Sequence, residues 1–202
     1  MLAVERLVAP EAAAVTDARA RAAGHEPPSP SDCALIAWAA VTTGARTIVE
    51  VGSCGGVSTV WLASVLAERG TVTSLEPDPD VHSLTSESVE LAGLSDRVRS
   101  IAGEPSEVLP RLADGGYDLV LLQVAGPRLV GLVDHAERIL RPGGVLVVRP
   151  RGDVAVALAV TERLVSSDAL AATAATGDDG MMLVATRRAD PEPDAEPDGT
   201  ED

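Results

Sequence analysis

Two carboxylates and a run of glycines set the chemistry open to this chain. Glu50 stands inside the apolar, β-branched run Ile48 to Val51, the composition of a buried strand. Gly52-Ser53-Cys54-Gly55-Gly56 follows at once, too glycine-rich for a helix or strand interior. From Val57 the apolar residues Val57, Val60, Trp61 and Val65 recur at helical spacing, with Ser58 in the first turn. Gly52 lets the chain turn sharply off the strand. Gly56 removes a Cβ that would keep a ligand from the helix N-terminus. Glu50 has two readings: a partner for the N–H groups of the turn, or a carboxylate for a cationic ligand group, because a buried charge needs a partner. Glu76 ends a second strand, Thr71 to Glu76, ahead of Pro77-Asp78-Pro79. A carboxylate there suits the hydroxyls of a ribose, hence a nucleoside ligand.

Strand, glycine turn and helix open a doubly wound α/β domain, whose ligands sit at the carboxyl ends of the strands. Upstream, residues 4–23 have helical character with a break near Pro10, and an extended loop runs from His25 to Pro30. Ser31 or Asp32 caps a helix from about Cys33 to Thr43. Downstream, a helix spans about Asp80 to Ala92, and strand three runs from Val98 to Ala102 before a helix that reaches Ala113. Tyr117 to Gln123 is almost wholly apolar and therefore central. A helix from about Leu129 to Leu140 stops at Arg141-Pro142-Gly143-Gly144, and strand five covers Val145 to Arg149. A helix (Val154 to Ser166) and two strands (Ala169 to Thr176, Met181 to Arg187) complete the domain, joined by a hairpin at Gly177-Asp178-Asp179-Gly180. The expected fold is a Rossmann-like α/β sheet, mostly parallel, with an antiparallel C-terminal hairpin strand and helices on both faces. Residues 1–188 form one domain, 1–45 being its N-terminal helices and lid.

The 202 residues carry a net charge of -15. Seven of those charges belong to acids after Ala189, where no base occurs, which leaves -8 for residues 1–189. That proline-rich tail, residues 189–202, is expected to be disordered. The acidic balance argues against a nucleic-acid partner. No apolar run is long enough for a membrane span and nothing resembles a signal peptide, so the expected setting is cytoplasmic. Cys33 and Cys54 make neither a metal-ligand spacing nor a disulfide framework. With Trp38, Trp61, Tyr117 and no Phe, little is available to stack on a planar substrate.

The order of motifs resembles class I S-adenosylmethionine-dependent O-methyltransferases, above all the bacterial small-molecule group related to catechol and caffeoyl-CoA O-methyltransferases. Glu50, Gly52, Gly56 and Ser58 match the family's first motif in spacing. Glu76-Pro77-Asp78-Pro79 matches the second, and Gly103-Glu104-Pro105 stands where the family has Gly-Asp-Ala. Tyr117-Asp118-Leu119-Val120 and Leu140-Arg141-Pro142-Gly143-Gly144 match the entries to strands four and five. The resemblance implies a site for S-adenosyl-L-methionine. Glu76, with Pro77, would hold the ribose; Gly52, Ser53 and Gly56 would let the backbone approach the methionine moiety. Glu50, with Ser58 in support, would lie near its ammonium end, Glu104 and Pro105 would border the adenine, and Gly103 and Gln123 would belong to the same cofactor site. The Ser29 loop would close over the methionine end.

The chain departs from the family at the metal. Where the family carries Asp-Ala-Asp-Lys after strand four and Asp-Asn after strand five, it has Gln123-Val124-Ala125-Gly126 and Arg149-Pro150. A hard divalent cation wants several oxygen ligands, so no metal is expected. No catalytic base is evident among His25, His82 and His135; His25, in the lid, is the best placed. Arg128, Arg149 and Arg151 lie near strand ends and are candidates to bind an anionic acceptor, Arg149 foremost, although solvated arginines on an acidic surface are the plainer reading. The leading expectation is a metal-independent methyltransferase acting on a small-molecule acceptor. The alternative is a catalytically degenerate relative that binds S-adenosylmethionine or S-adenosylhomocysteine for sensing or interaction. The lack of G-x-G-x-x-G spacing disfavours a nicotinamide dehydrogenase. A homodimer is left open.

Overall fold

The computed structural model describes residues 10–152 and 154–189. A seven-stranded sheet runs in the order β3-β2-β1-β4-β5-β7-β6. Its strands are β1 (Thr47–Val51), β2 (Thr71–Glu76), β3 (Val98–Ala102), β4 (Tyr117–Leu122), β5 (Leu140–Val148), β6 (Leu170–Gly177) and β7 (Gly180–Arg187). The first five pair in parallel; β7 runs antiparallel to β5, and β6 to β7. The order reverses between β1 and β4, where a parallel α/β sheet opens a crevice at its carboxyl edge.

Seven α-helices flank the sheet among the described residues: α1 (Ala13–Ala22), α2 (Pro30–Thr42), α3 (Val57–Val65), α4 (Pro79–Leu91), α5 (Pro105–Val108), α6 (Arg128–Ile139) and α7 (Val154–Val165). Strand alternation divides the core. Val49, Val51, Val120, Leu122, Leu146 and Val148 face α6 and α7, whose Leu129, Leu132, Val133, Val156, Val160 and Leu164 join them. Ile48, Leu119, Leu121 and Val147 face α2 and α3 through Ile36 and Leu62. Trp61 is buried where α1, α2 and α3 meet, whereas Trp38 on α2 is 60% exposed.

Several boundaries differ from the sequence expectation, each for a local reason. Ser29, not Ser31 or Asp32, caps α2, its hydroxyl accepting from the Asp32 N–H at 3.2 Å with Pro30 in the first turn. The helix after β3 is only α5 and a 3-10 turn over Leu109–Arg111, because Pro110 cannot continue the ladder. β5 begins at Leu140 rather than Val145: Leu140 pairs with Tyr117, and a register shift carries the ladder across Arg141-Pro142-Gly143-Gly144. At the same edge Asp118 ties three segments together. Its Oδ2 accepts from the N–H groups of Arg46 and Thr47 at 2.8 Å each, and its Oδ1 from Arg141 Nε at 2.5 Å. Of the N-terminal helical stretch, α1 is the described part; residues 4–9 and the acidic tail from Asp190 lie outside the described residues.

Candidate cofactor site

The turn after β1 is built by left-handed backbone. Gly52 has φ +86°, and a Cβ there would stand 2.8 Å from the Gln123 carbonyl oxygen on the neighbouring strand end. Gly56 has φ +92°, and its Cβ would press on Ser88 and Thr85 of α4 at 3.0 and 3.2 Å. The crowding comes from packed protein, so Gly56 is required by the approach of α4 rather than by access to a ligand. Between the two glycines Cys54 takes φ +50°.

Glu50 turns inward. It shares the face of Ile48, which packs on α3, and is fully buried. Its carboxylate accepts from Ser58 Oγ at 2.5 Å, from Ser74 Oγ at 2.9 Å, from the Thr59 hydroxyl, and from Gln123 Nε2 at 3.3 Å. Burial pushes this carboxyl up, and the three hydroxyls oppose the shift. Side-chain donors therefore satisfy Glu50, in place of the backbone N–H groups or the cationic ligand group that the sequence suggested. Gln123 also donates to Ser58 Oγ at 2.6 Å. That fixes its amide and leaves Oε1 buried without a hydrogen-bond partner among the described residues.

Glu76, two residues beyond Ser74 and so on the same face of the sheet as Glu50, stands at the tip of β2, where it lines a cleft of about 280 Å³. Its Oε2 accepts from the Ser53 N–H at 3.0 Å and the Ser53 hydroxyl at 3.1 Å; its Oε1 receives only a 3.3 Å bond from the Asp78 N–H. Ser53 is held in turn against Thr85 at 2.7 Å. Of the residues singled out in the sequence, Gly52, Glu76, Pro77, Gln123, His25 and Arg128 line this cleft. Glu50, Ser53, Gly56 and Ser58 stand behind it as support. Gly103 donates its N–H to the Glu76 carbonyl at 3.1 Å, and Pro105 opens α5. Glu104 and Arg128 are paired at 3.4 Å, both exposed.

Arg151, a candidate anion anchor in the sequence, lines the cleft as well, and so do Cys54, Val81, Val124 and Ala125, which were not singled out as site residues. Only their places beside the glycine turn and after β4 hint at them in the sequence. Burial pushes the Cys54 thiol up to about 11, although Arg151 Nη1 lies 3.3 Å from its sulfur, so the thiol is neutral.

Arg149 lies outside this cleft, in the wall of a neighbouring cavity of about 360 Å³ that shares Arg151 with it. It is not the free cation that an anion anchor requires. Nη2 donates to Asp179 Oδ2 at 2.8 Å, and Nε stands 3.5 Å from Asp32 Oδ2. Burial, then the charge of Asp179, raises the Asp32 carboxyl. Burial would raise Asp179 as well, but the Ser29 N–H and Arg149 hold it below the usual carboxylate range. Among the described residues no group of three His, Cys, Asp or Glu side chains converges as metal ligands do.

These features fit a nucleoside cofactor. A carboxylate with an under-used oxygen stands at the tip of β2, and Gln123, whose Oε1 has no hydrogen-bond partner among the described residues, lines the same cleft. Comparison with known proteins gives the same answer. A methyltransferase domain family model matches residues 49–148. A protein of Mycolicibacterium vanbaalenii, provisionally named an O-methyltransferase, is 41% identical over 141 residues, covering 68% of this chain and 62% of that protein. One of Mycolicibacterium smegmatis, similarly named, is 38% identical over 141 residues, 68% of this chain and 67% of that protein. The chain spans 62% to 64% of the length of the first three relatives. Cofactor-bound Rv0187 from MTB superposes with a TM-score of 0.79 at 28% identity, over 89% of this chain and 90% of that one. The O-methyltransferase of Bacillus cereus in complex with SAH shares the fold, with a TM-score of 0.79 at 22% identity over 88% of this chain and 90% of its own. The chain belongs to the class I S-adenosylmethionine-dependent O-methyltransferase family.

Proposed function

We propose that this chain transfers a methyl group from S-adenosylmethionine to a small-molecule acceptor without a divalent cation. The observation that carries the reading is Glu76, fixed by Ser53 at the tip of β2 with one oxygen facing the cleft. Two ribose hydroxyls would donate to that carboxylate, each charge-assisted bond contributing on the order of 1.5–3 kcal/mol. Gln123 Oε1 would accept from the ammonium group of the methionine end. The cofactor, when bound, supplies an electrophilic methyl on a sulfonium. The chain then has to hold an acceptor oxygen in line with that methyl and keep competing water out, and proximity of this kind is a large source of rate. The 360 Å³ cavity beside the cleft is where the acceptor would sit.

The residues at the family's cation position do not fit a metal. Gln123 offers one neutral amide oxygen there, and Arg149 puts a guanidinium where a carboxylate would be needed, so a hard divalent cation lacks its set of oxygen ligands. EDTA should therefore leave cofactor affinity unchanged, and stoichiometric metal in the purified protein would overturn this part. The described helices include none long and apolar enough to cross a membrane. The free, buried thiols of Cys33 and Cys54 support a reducing, cytoplasmic setting, which cell fractionation tests. The decisive experiment is calorimetric titration with S-adenosylmethionine, S-adenosylhomocysteine and NAD. Binding of S-adenosylhomocysteine in the low micromolar range, about −8 kcal/mol, with none of NAD is expected; the reverse would sink the reading.

A further inference from the structure

Three segments far apart in the chain converge on Arg149, at the carboxyl end of β5. Its guanidinium reaches Asp179 in the β6–β7 hairpin and Asp32 in the first turn of α2. Those two segments also hold each other directly. The Ser29 N–H donates to Asp179 Oδ2 at 2.5 Å, and the Ser31 hydroxyl donates to Asp178 Oδ2 at 2.6 Å. The Asp32 carboxylate lies so close over Gly177 that a Cβ on that glycine would stand 1.7 Å from Oδ1.

Charge makes Arg149 the keystone of this arrangement. Asp32 is 1% exposed and the Asp179 side chain 30% exposed, so without a cation between them the two carboxylates would repel across a contact that water only partly screens. The guanidinium gives each carboxylate a different nitrogen, a fork that no compact point charge offers. The network is nevertheless incomplete. Neither oxygen of Asp32 has a hydrogen-bond partner among the described residues, and neither does Nη1 of Arg149. A contact satisfied to that extent can open without unfolding the sheet beneath it.

We infer that Arg149 is a positioning residue: through Asp32 and Asp179 it latches the start of α2 to the β6–β7 hairpin. The latch fixes the wall of the 360 Å³ cavity in which, on the methyltransferase reading above, the acceptor sits. Arg149, Asp32 and Asp179 all line that cavity, as do Glu26 and Pro27 just ahead of α2. An internal guanidinium thus gathers carboxylates from distant parts of the chain, as a bound cation would.

Hydrogen exchange read by mass spectrometry on the full chain, without ligand, tests this. In Arg149→Met the amides of Ser29, Ser31 and residues 177–180 should exchange at least tenfold faster, with α6 and β4 within twofold of the unmodified protein. Arg149→Lys should recover at least a threefold part of that protection, because a single ammonium still reaches one carboxylate. Unchanged exchange at Ser29, a uniform rise throughout the chain, or Arg149→Lys as loose as Arg149→Met would each overturn the latch. If Arg149→Met does not fold, Gly177→Ala decides. It alters no charge but displaces Asp32, and must loosen the same two segments; unaltered exchange there overturns the proposal. Titration of the unmodified protein with S-adenosylhomocysteine is a separate arm: failure to bind removes the methyltransferase reading and leaves the latch measurement standing.

Discussion

Ser53 and Glu76 join the ends of β1 and β2: the serine gives both its N–H and its hydroxyl to one oxygen of the carboxylate, at 3.0 and 3.1 Å. Such a carboxylate is fixed before any ligand arrives, and little ordering cost remains to be met on binding. Glu76→Ala should weaken S-adenosylhomocysteine binding at least tenfold by calorimetry, with Glu76→Gln in between. An unchanged affinity would remove Glu76 from the site.

Gly52→Ala combines two faults, a left-handed φ of +86° and a Cβ 2.8 Å from the Gln123 carbonyl. Strain of this kind costs about 1–3 kcal/mol, so thermal melting should show a loss of several degrees. A midpoint within one degree of the parent would mean that the ends of β1 and β4 can part freely.

Glu50 tests the inward-facing network. Burial raises its carboxyl, so its stabilising contribution is fullest below the unfolded value of about 4.3 and is lost as pH rises through the folded one. Glu50→Gln keeps the shape and cannot ionise; its melting temperature should change less than the parent's between pH 5 and pH 8. Glu50→Ala strands Ser58, Thr59 and Ser74 and should cost at least about 2 kcal/mol. Parallel pH profiles for parent and Glu50→Gln would refute the assignment.

Asp118 has the opposite sign. Burial would raise its carboxyl, but Arg141, the N–H groups of Arg46 and Thr47, and the Thr47 hydroxyl outweigh it and bring the group down to about 2. That stability is present above the unfolded value of about 3.9 and is lost as pH falls toward 2. Asp118→Asn should lower the melting temperature at pH 7 and close the gap to the parent by pH 2.5. A gap that persists in acid would show that the loss is steric rather than ionic.

Local chemistry made much of this legible in the sequence. The apolar run Ile48 to Val51, the glycines and the helical spacing after Val57 are features of single segments, and the structure has β1, its turn and α3 there. Glu76 was visible because a strand tip is a defined place. The inward turn of Glu50 could have been read from alternation, since it shares a face with Ile48 and sits beside Ser74 in the register of β1 with β2. β5 was cut short because Pro142-Gly143-Gly144 signals a stop, and only the pairing with β4 overrides it. The partners of Arg149 were hidden for a different reason. Asp32 and Asp179 lie on either side of the sheet's main run of strands in the sequence, and no local pattern connects them.

The bonds from Ser29 and Ser31 to Asp178 and Asp179 give synthesis on the ribosome an order. Every residue that lines the cofactor cleft lies between His25 and Arg151, so that cleft can assemble while the hairpin is still being translated. The neighbouring cavity cannot, because Asp179 and Met181 in its wall belong to the hairpin itself. A nascent chain that has not yet made the hairpin lacks part of the wall of the cavity in which the acceptor would sit.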